Sequence, residues 1–378
     1  MKRIFWIATL CAVLMTVLSL PAFSDTADEY ISEQLEAAGA DELYDSLSDE
    51  TKELFERIGI DAINYEQIMN VSPETVFGLF FSLFSGRLGV PLGSMGVLAA
   101  VIIISSIIKN FVAGLNSCKA DELYNVITAF VTGLIIIVPV GSCISDVAAA
   151  VELGADFMKL FIPVFIAVMI AAGKPLAAMS FNGMVFGLAE FITYVSRNFI
   201  MPVISAFLAF SLVGSFSTDI KLGNIISFSK KCIMTVMGFM STVFVALLCM
   251  KGFISTAADT VGTKASKFLL GSFLPVVGTA MGEAMSTVRE CLVLVRGSVG
   301  TFGMLAVMLT YVPVIISILA WQFMLFICSS LGEIMGLGSA VGVIKAISST
   351  LTLLLAVLIF CTFLLVISIA VILMVAGR

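Results

Sequence analysis

Histidine is absent from all 378 residues. That removes the commonest general base, the commonest metal ligand and the simplest pH switch. Charge is scarce too: Asp, Glu, Lys and Arg make up 12% of the chain, against roughly 25% in soluble domains. Apolar residues reach 60%, which leaves too few polar side chains to cover a water-soluble fold. The expected solvent is lipid. The eight cysteines (Cys11, Cys118, Cys143, Cys232, Cys249, Cys291, Cys328 and Cys361) are widely spaced, with no CxxC. None falls between Asp25 and Thr75, so a disulfide framework or zinc site is not expected. They read as small apolar residues within helices. The usual signatures of chemistry are missing as well. Gly262-Thr-Lys-Ala-Ser resembles only the tail of a phosphate-binding loop. Gly336-Leu-Gly338 lacks the strand and third glycine of a dinucleotide loop. No GxSxG, HExxH or paired-carboxylate motif occurs. The expectation is a non-enzyme with no cofactor, no metal, no catalytic residue and no nucleic-acid partner.

What charge there is lies at one end. Between Asp25 and Thr75 stand 15 acids and 2 bases, a net of −13 in a chain whose total is −6. An acidic segment over 25–75 is therefore joined to a slightly basic apolar body over 76–378. Ahead of it, Lys2-Arg3 precedes an apolar run from Ile4 to Leu20, then Pro21 and Ala22-Phe23-Ser24. This is the pattern of a secretory signal peptide over 1–24. An uncleaved anchor helix is the alternative, because 17 apolar residues nearly span a bilayer. Either way Asp25 is expected outside the cytoplasm.

Within 25–75 the spacing predicts two or three short helices. Tyr30, Ile31, Leu35 and Ala38 recur at helical period and Gly39 ends that turn. Ser48 is a cap, with Asp49 and Glu50 in the first turn, where carboxylates face the positive end of the helix dipole. Leu54, Phe55 and Ile58 share a face that Gly59 closes. Ser72-Pro73-Glu74 repeats the cap logic. So short a segment builds no robust core of its own. It reads either as a docking segment, for a partner or for the chain's own body, or as a solvated acidic spacer.

The body alternates apolar runs with brief polar breaks, giving an all-α polytopic transmembrane bundle of six to eight spans. Eight are counted: Leu92–Ile108, Leu123–Cys143, Phe157–Gly173, two within Phe181–Ile220 split at Arg197-Asn198, Cys232–Met250, Thr301–Cys328 and Ile347–Ala376. Lysine bias places Lys109, Lys119, Lys174, Lys221, Lys230 and Lys231 inside, and the loop with Asp146, Glu152 and Asp156 outside. Beyond Lys251 the bias gives no orientation. Residues 254–300 are the exception to simple spanning. Lys267 to Gly278 is apolar but short, contains Pro275, and runs on into Gly282, Glu283, Arg289 and Glu290. It reads as a re-entrant or interfacial element, with an amphipathic surface helix as the alternative.

Candidate functional positions are the charges and breaks set in apolar context: Glu190, Arg197, Pro275, Gly278, Gly282, Glu283, Arg289, Glu290 and Glu333. A charge at mid-bilayer costs about 2.5–3.5 kcal/mol on insertion scales, so these face protein, water or an interface. Glu190 and Arg197 lie seven residues apart, on one helix face. Mutual pairing and simple interface placement are both open. Gly183–Gly187, Gly278–Gly282, Gly332–Gly336 and Gly338–Gly342 have the spacing that lets helices approach closely. It serves packing within the chain or contact in a homo-oligomer.

The order of parts, with Ser272-Phe-Leu-Pro275-Val-Val-Gly278, Glu283-Ala and Arg296-Gly-Ser-Val-Gly300, resembles the stage III sporulation protein AE family of endospore-forming Firmicutes. The resemblance is to that family's "FxPxxGG…S-(D/E)-A…K…G" stretch. Thr279 stands at its second glycine and Arg296 where lysine is usual. The resemblance implies a subunit of a secretion or channel complex in the mother-cell membrane around the forespore. It would work beside an ATPase, ring-forming subunits and a forespore-side partner, with the N-terminal segment extracytoplasmic. It brings no catalytic residue. A secondary transporter for a small solute is the competing reading, because helices broken near Pro163, Pro175 and Pro275 beside embedded charges are features of such carriers.

Overall fold

The structure, a computed structural model, describes residues 39–61, 63, 67–68, 71–113, 118–171, 183, 186–187, 190–216, 222–273 and 278–377, with the backbone alone at 40–41, 73, 112–113, 118–122, 249, 251–273, 278–292 and 374–377. The leader, the first half of the acidic segment with Tyr30 to Ala38, and Pro275 lie outside the described residues. Among the described residues there is no strand. The helices are α1 (Ala40–Asp45), α2 (Asp49–Arg57), α3 (Pro73–Arg87), α4 (Gly89–Ala113), α5 (Cys118–Ala171), α6 (Glu190–Phe216), α7 (Gly223–Phe273), α8 (Gly278–Ile334) and α9 (Gly338–Gly377). Six of them, α4 to α9, are long and apolar enough to cross a membrane. The chain is an all-α polytopic bundle, and six helices of this kind stand among the described residues.

Two of the expected breaks do not exist. Asp146, Glu152 and Asp156 were placed in a loop between two spans, but α5 runs unbroken for 54 residues. Charge alone does not end a helix, and the stretch holds Ala148-Ala149-Ala150 and no proline between Pro139 and Pro163. The second expected break, at Arg197-Asn198, is a π-turn over Ser196–Ile200 inside a continuous helix. One wider turn absorbs the irregularity without ending the hydrogen-bond ladder. Over 254–300 the backbone is helical in α7 as far as Phe273 and again in α8 from Gly278.

α8 and α9 form the central hairpin, and α5 packs against both. Glycines at the crossings fix the register. A side chain at Gly332 would meet Val341, and one at Gly300 would meet Leu373, so α8 and α9 are antiparallel along their length. Gly133 faces Val343 and Phe216, Gly154 faces Tyr311, and Gly303 faces Phe161. α5 therefore climbs beside α9 and against α8. Of the recurrent glycines, Gly332 lies against Val341, Gly342 near Ser215 and Gly336 near Lys109, whereas a side chain at Gly338 would meet open space.

These contacts define two charged levels. At the hairpin turn Gly336 takes a left-handed φ of 71°, Lys109 Nζ donates to the Gly336 carbonyl, and Glu333 pairs with Lys345 at 2.6 Å. A cation on the carbonyl end of a helix complements its dipole. At the other level stand Thr310, Tyr311, Arg87 and the charges of α5 and α6. From Thr310 to Glu333 the helix rises about 35 Å, so hydrocarbon about 30 Å thick fits between the two levels. α5, α7 and α8, at 54, 51 and 57 residues, are far longer than the ~20 residues a span requires.

Candidate functional site: a charged rim beside a π-turn

The described helices of the acidic segment, α1 and α2, are docked against the body. Ser48 caps α2 through a bond from the Thr51 amide at 3.3 Å, with Asp49 and Glu50 in its first turn. That fixes Leu54, Phe55 and Ile58 on one face, all buried. Phe55 stacks on Phe302 of α8 at 5.0 Å between centroids, and Tyr44 joins both rings. Burying a side chain such as Phe55 contributes about 1.5–3 kcal/mol, and a ring pair adds about 0.5–1.5 kcal/mol. Thr51 Oγ1 lies 3.5 Å from Thr310 Oγ1, and Arg87 at the end of α3 pairs with Glu50. Burial, then the nearby Glu56, Asp61 and Asp45 carboxylates, push the Tyr44 phenol above its ordinary value.

At the same level α5 and α6 exchange charge. Arg197 Nη1 donates to Glu152 Oε1 at 2.8 Å, and Lys159 Nζ lies 2.7 Å from Glu190 and 2.9 Å from Asp156. Glu190 and Arg197 thus do not pair with each other. Each reaches across to α5, because two groups seven residues apart on one face stand about 10 Å apart along the axis. Glu152 and Lys159 are also seven apart, in the same acid-then-base order, on a helix running the other way. The two pairs match end to end. Their side chains are 40–61% exposed, so in water each bond is worth about 0–1 kcal/mol.

At the Arg197–Glu152 pair the π-turn buries Ser196 and Ile200. Ser196 Oγ sits 3.7 Å from Cys361 Sγ of α9, and Asn198 Nδ2 donates to the Tyr194 carbonyl at 3.0 Å. A shallow surface cleft opens here, lined by Ala148, Val151, Glu152, Thr193, Ser196, Arg197 and Met201, and it encloses essentially no volume of its own, unlike the concave pockets that hold small molecules. Among the described residues no three Cys, Asp or Glu groups come together as a metal site.

Of the residues singled out from the sequence, the structure brings Glu190 and Arg197 into this rim and puts Glu333 at the opposite one. Gly278, Gly282, Glu283, Arg289 and Glu290 lie in the first turns of α8, where the backbone alone is described. Glu152, Asp156 and Lys159 were missed as partners, although their seven-residue match to Glu190 and Arg197 was readable.

The sequence model of the family described as Stage III sporulation protein AE (spore_III_AE) matches residues 61–376. The chain belongs to this family. A curated member from Bacillus subtilis (strain 168), named Stage III sporulation protein AE, is 21% identical over 290 residues, covering 75% of this chain and 71% of the relative. No solved structure matches. The family match takes in both charged levels and all six long helices, and it begins after the docked acidic helices α1 and α2.

Proposed function

We propose that the chain is a non-enzymatic membrane subunit of a specialised secretion or channel complex that links mother cell and forespore during endospore formation. It sits in the mother-cell membrane with its N-terminal segment extracytoplasmic. Its partners are an ATPase, ring-forming subunits and a forespore-side protein. The observation that carries this reading is the family match along 61–376, which gives the role in sporulation. Helices much longer than a bilayer, and an acidic segment held against the rim instead of trailing from it, suit a subunit that presents a fixed surface to neighbours.

The test is co-purification. The full chain, solubilised from sporulating cells, is expected to bring several membrane partners with it. A lone protomer that carries out its role unaided would overturn the reading. A second reading, a secondary transporter, is favoured by the π-turn set beside the charged rim, since local helix irregularities cluster at functional sites. Ion-coupled solute flux in liposomes, abolished by Glu190→Ala or Glu283→Ala, would select it.

A further inference from the structure

Between the two charged levels α8 carries Gln322, a polar side chain that neither level accounts for. Gln322 lies about 21 Å along the helix from Gly336 and about 18 Å from Thr310, midway between the two levels. Its Nε2 donates to Thr352 Oγ1 of α9 at 3.5 Å, while Thr352 Oγ1 donates in turn to the Ser348 carbonyl at 2.8 Å. Among the described residues the Gln322 carbonyl oxygen and second N–H have no partner, and the side chain is half-buried, not enclosed. Nearby hydroxyls are closed on their own helices: Ser330 on the Phe326 carbonyl and Thr350 on the Ala346 carbonyl. Hydrocarbon offers neither donor nor acceptor, and an unsatisfied group there costs several kcal/mol. Gln322, Phe326, Ser330 and Glu333 recur at three- and four-residue steps and form one stripe, with Phe326 and Glu333 exposed and Gln322 and Ser330 partly so. Phe326, one turn from Gln322, is 70% exposed.

We propose that this stripe is a self-association face, on which Gln322 of one copy hydrogen-bonds Gln322 of a second copy across a two-fold axis normal to the membrane. The complementarity selects a second copy. A carboxamide is donor and acceptor at once, so two of them satisfy each other reciprocally. In two copies inserted alike in one bilayer, a residue meets its twin at the same depth by symmetry. A different partner would have to place a matching group at mid-membrane independently. The inference rests on reading α4 to α9 as membrane spans, and it adds a homotypic contact to membership of a complex.

The test uses the full chain, fluorescently labelled and reconstituted in phosphatidylcholine–phosphatidylglycerol vesicles at graded protein-to-lipid ratios. Energy transfer between copies is expected for the wild type. Gln322→Leu is expected to weaken it about three- to thirty-fold, the span of polar interhelical contacts in membranes. Thr352→Val, which removes only the internal partner, is expected to keep it. Helix content and thermal midpoint are measured on each variant. In a background without native cysteines, Gln322→Cys is expected to form a covalent dimer on oxidation in the bilayer. Wild-type strength in Gln322→Leu, a monomeric wild type at every ratio, or no dimer from Gln322→Cys would overturn the proposal. These results would leave co-purification with sporulation partners untouched, so the two readings fail separately.

Discussion

Replacing Gly303 by alanine tests whether α5 and α8 meet as closely as the crossing glycines indicate. A Cβ at Gly303 would lie 2.3 Å from the Phe161 ring, with three ring atoms inside 3 Å. Phe161 cannot swing clear. It is fully buried and stacked between Phe157 at 5.7 Å and Phe165 at 5.4 Å. Overpacking of this kind costs about 1–3 kcal/mol, offset by up to about 1 kcal/mol because alanine suits a helix interior better than glycine. Net destabilisation of about 1–2 kcal/mol is expected, worth a few degrees in thermal midpoint. Gly300 is the built-in control. Its Cβ would meet Leu373 at 2.3 Å, but Leu373 is only partly buried near the end of α9, so Gly300→Ala is expected to cost less than Gly303→Ala. The assay is thermal unfolding in detergent, read by a thiol-reactive dye at the buried Cys143, Cys328 and Cys361. Phe161→Leu in the Gly303→Ala background should restore part of the loss. A Gly303→Ala protein as stable as the wild type, or less damaged than Gly300→Ala, would refute the reasoning.

Three further outcomes are expected. Glu152→Arg alone places two cations together and should lower the thermal midpoint, and adding Arg197→Glu should recover it; a double-mutant cycle measures the coupling, about 0–1 kcal/mol at these exposures. Phe55→Ala empties the ring cluster on Phe302, should cost about 3 kcal/mol, and should expose residues 40–58 to limited proteolysis that the wild type resists. Lys109→Met removes the donor to the Gly336 carbonyl and should raise hydrogen exchange at the α8–α9 turn while leaving the α5–α6 rim unchanged.

Helix identity was legible because composition left nothing else: 60% apolar residues in long runs have no soluble solution. The caps at Ser48 and Ser72 were legible too, since capping is a local reaction of a hydroxyl with an amide three residues on. Where helices end inside the apolar body was not. Glu152 and Asp156 look like a loop to a charge count, yet they sit mid-helix because α6 supplies Arg197 and, beside Asp156, α5 itself supplies Lys159. The direction in which Glu190 and Arg197 point was equally hidden, because it depends on which helix lies opposite. The role of Gly154 and Gly303 appears only once Tyr311 and Phe161 are seen against them. Gln322 drew no notice as one neutral residue in an apolar run. Its significance is its depth.

The most direct test of the account is the sidedness of its two charged levels. With native cysteines replaced, Asp49→Cys beside the docked rim and Met335→Cys at the α8–α9 turn would be exposed singly to a membrane-impermeant thiol reagent in intact, non-sporulating cells that express the chain in their outer cell membrane. The account predicts labelling of Asp49→Cys from outside and of Met335→Cys only after permeabilisation. Labelling of both from the same side would contradict a bilayer lying between them.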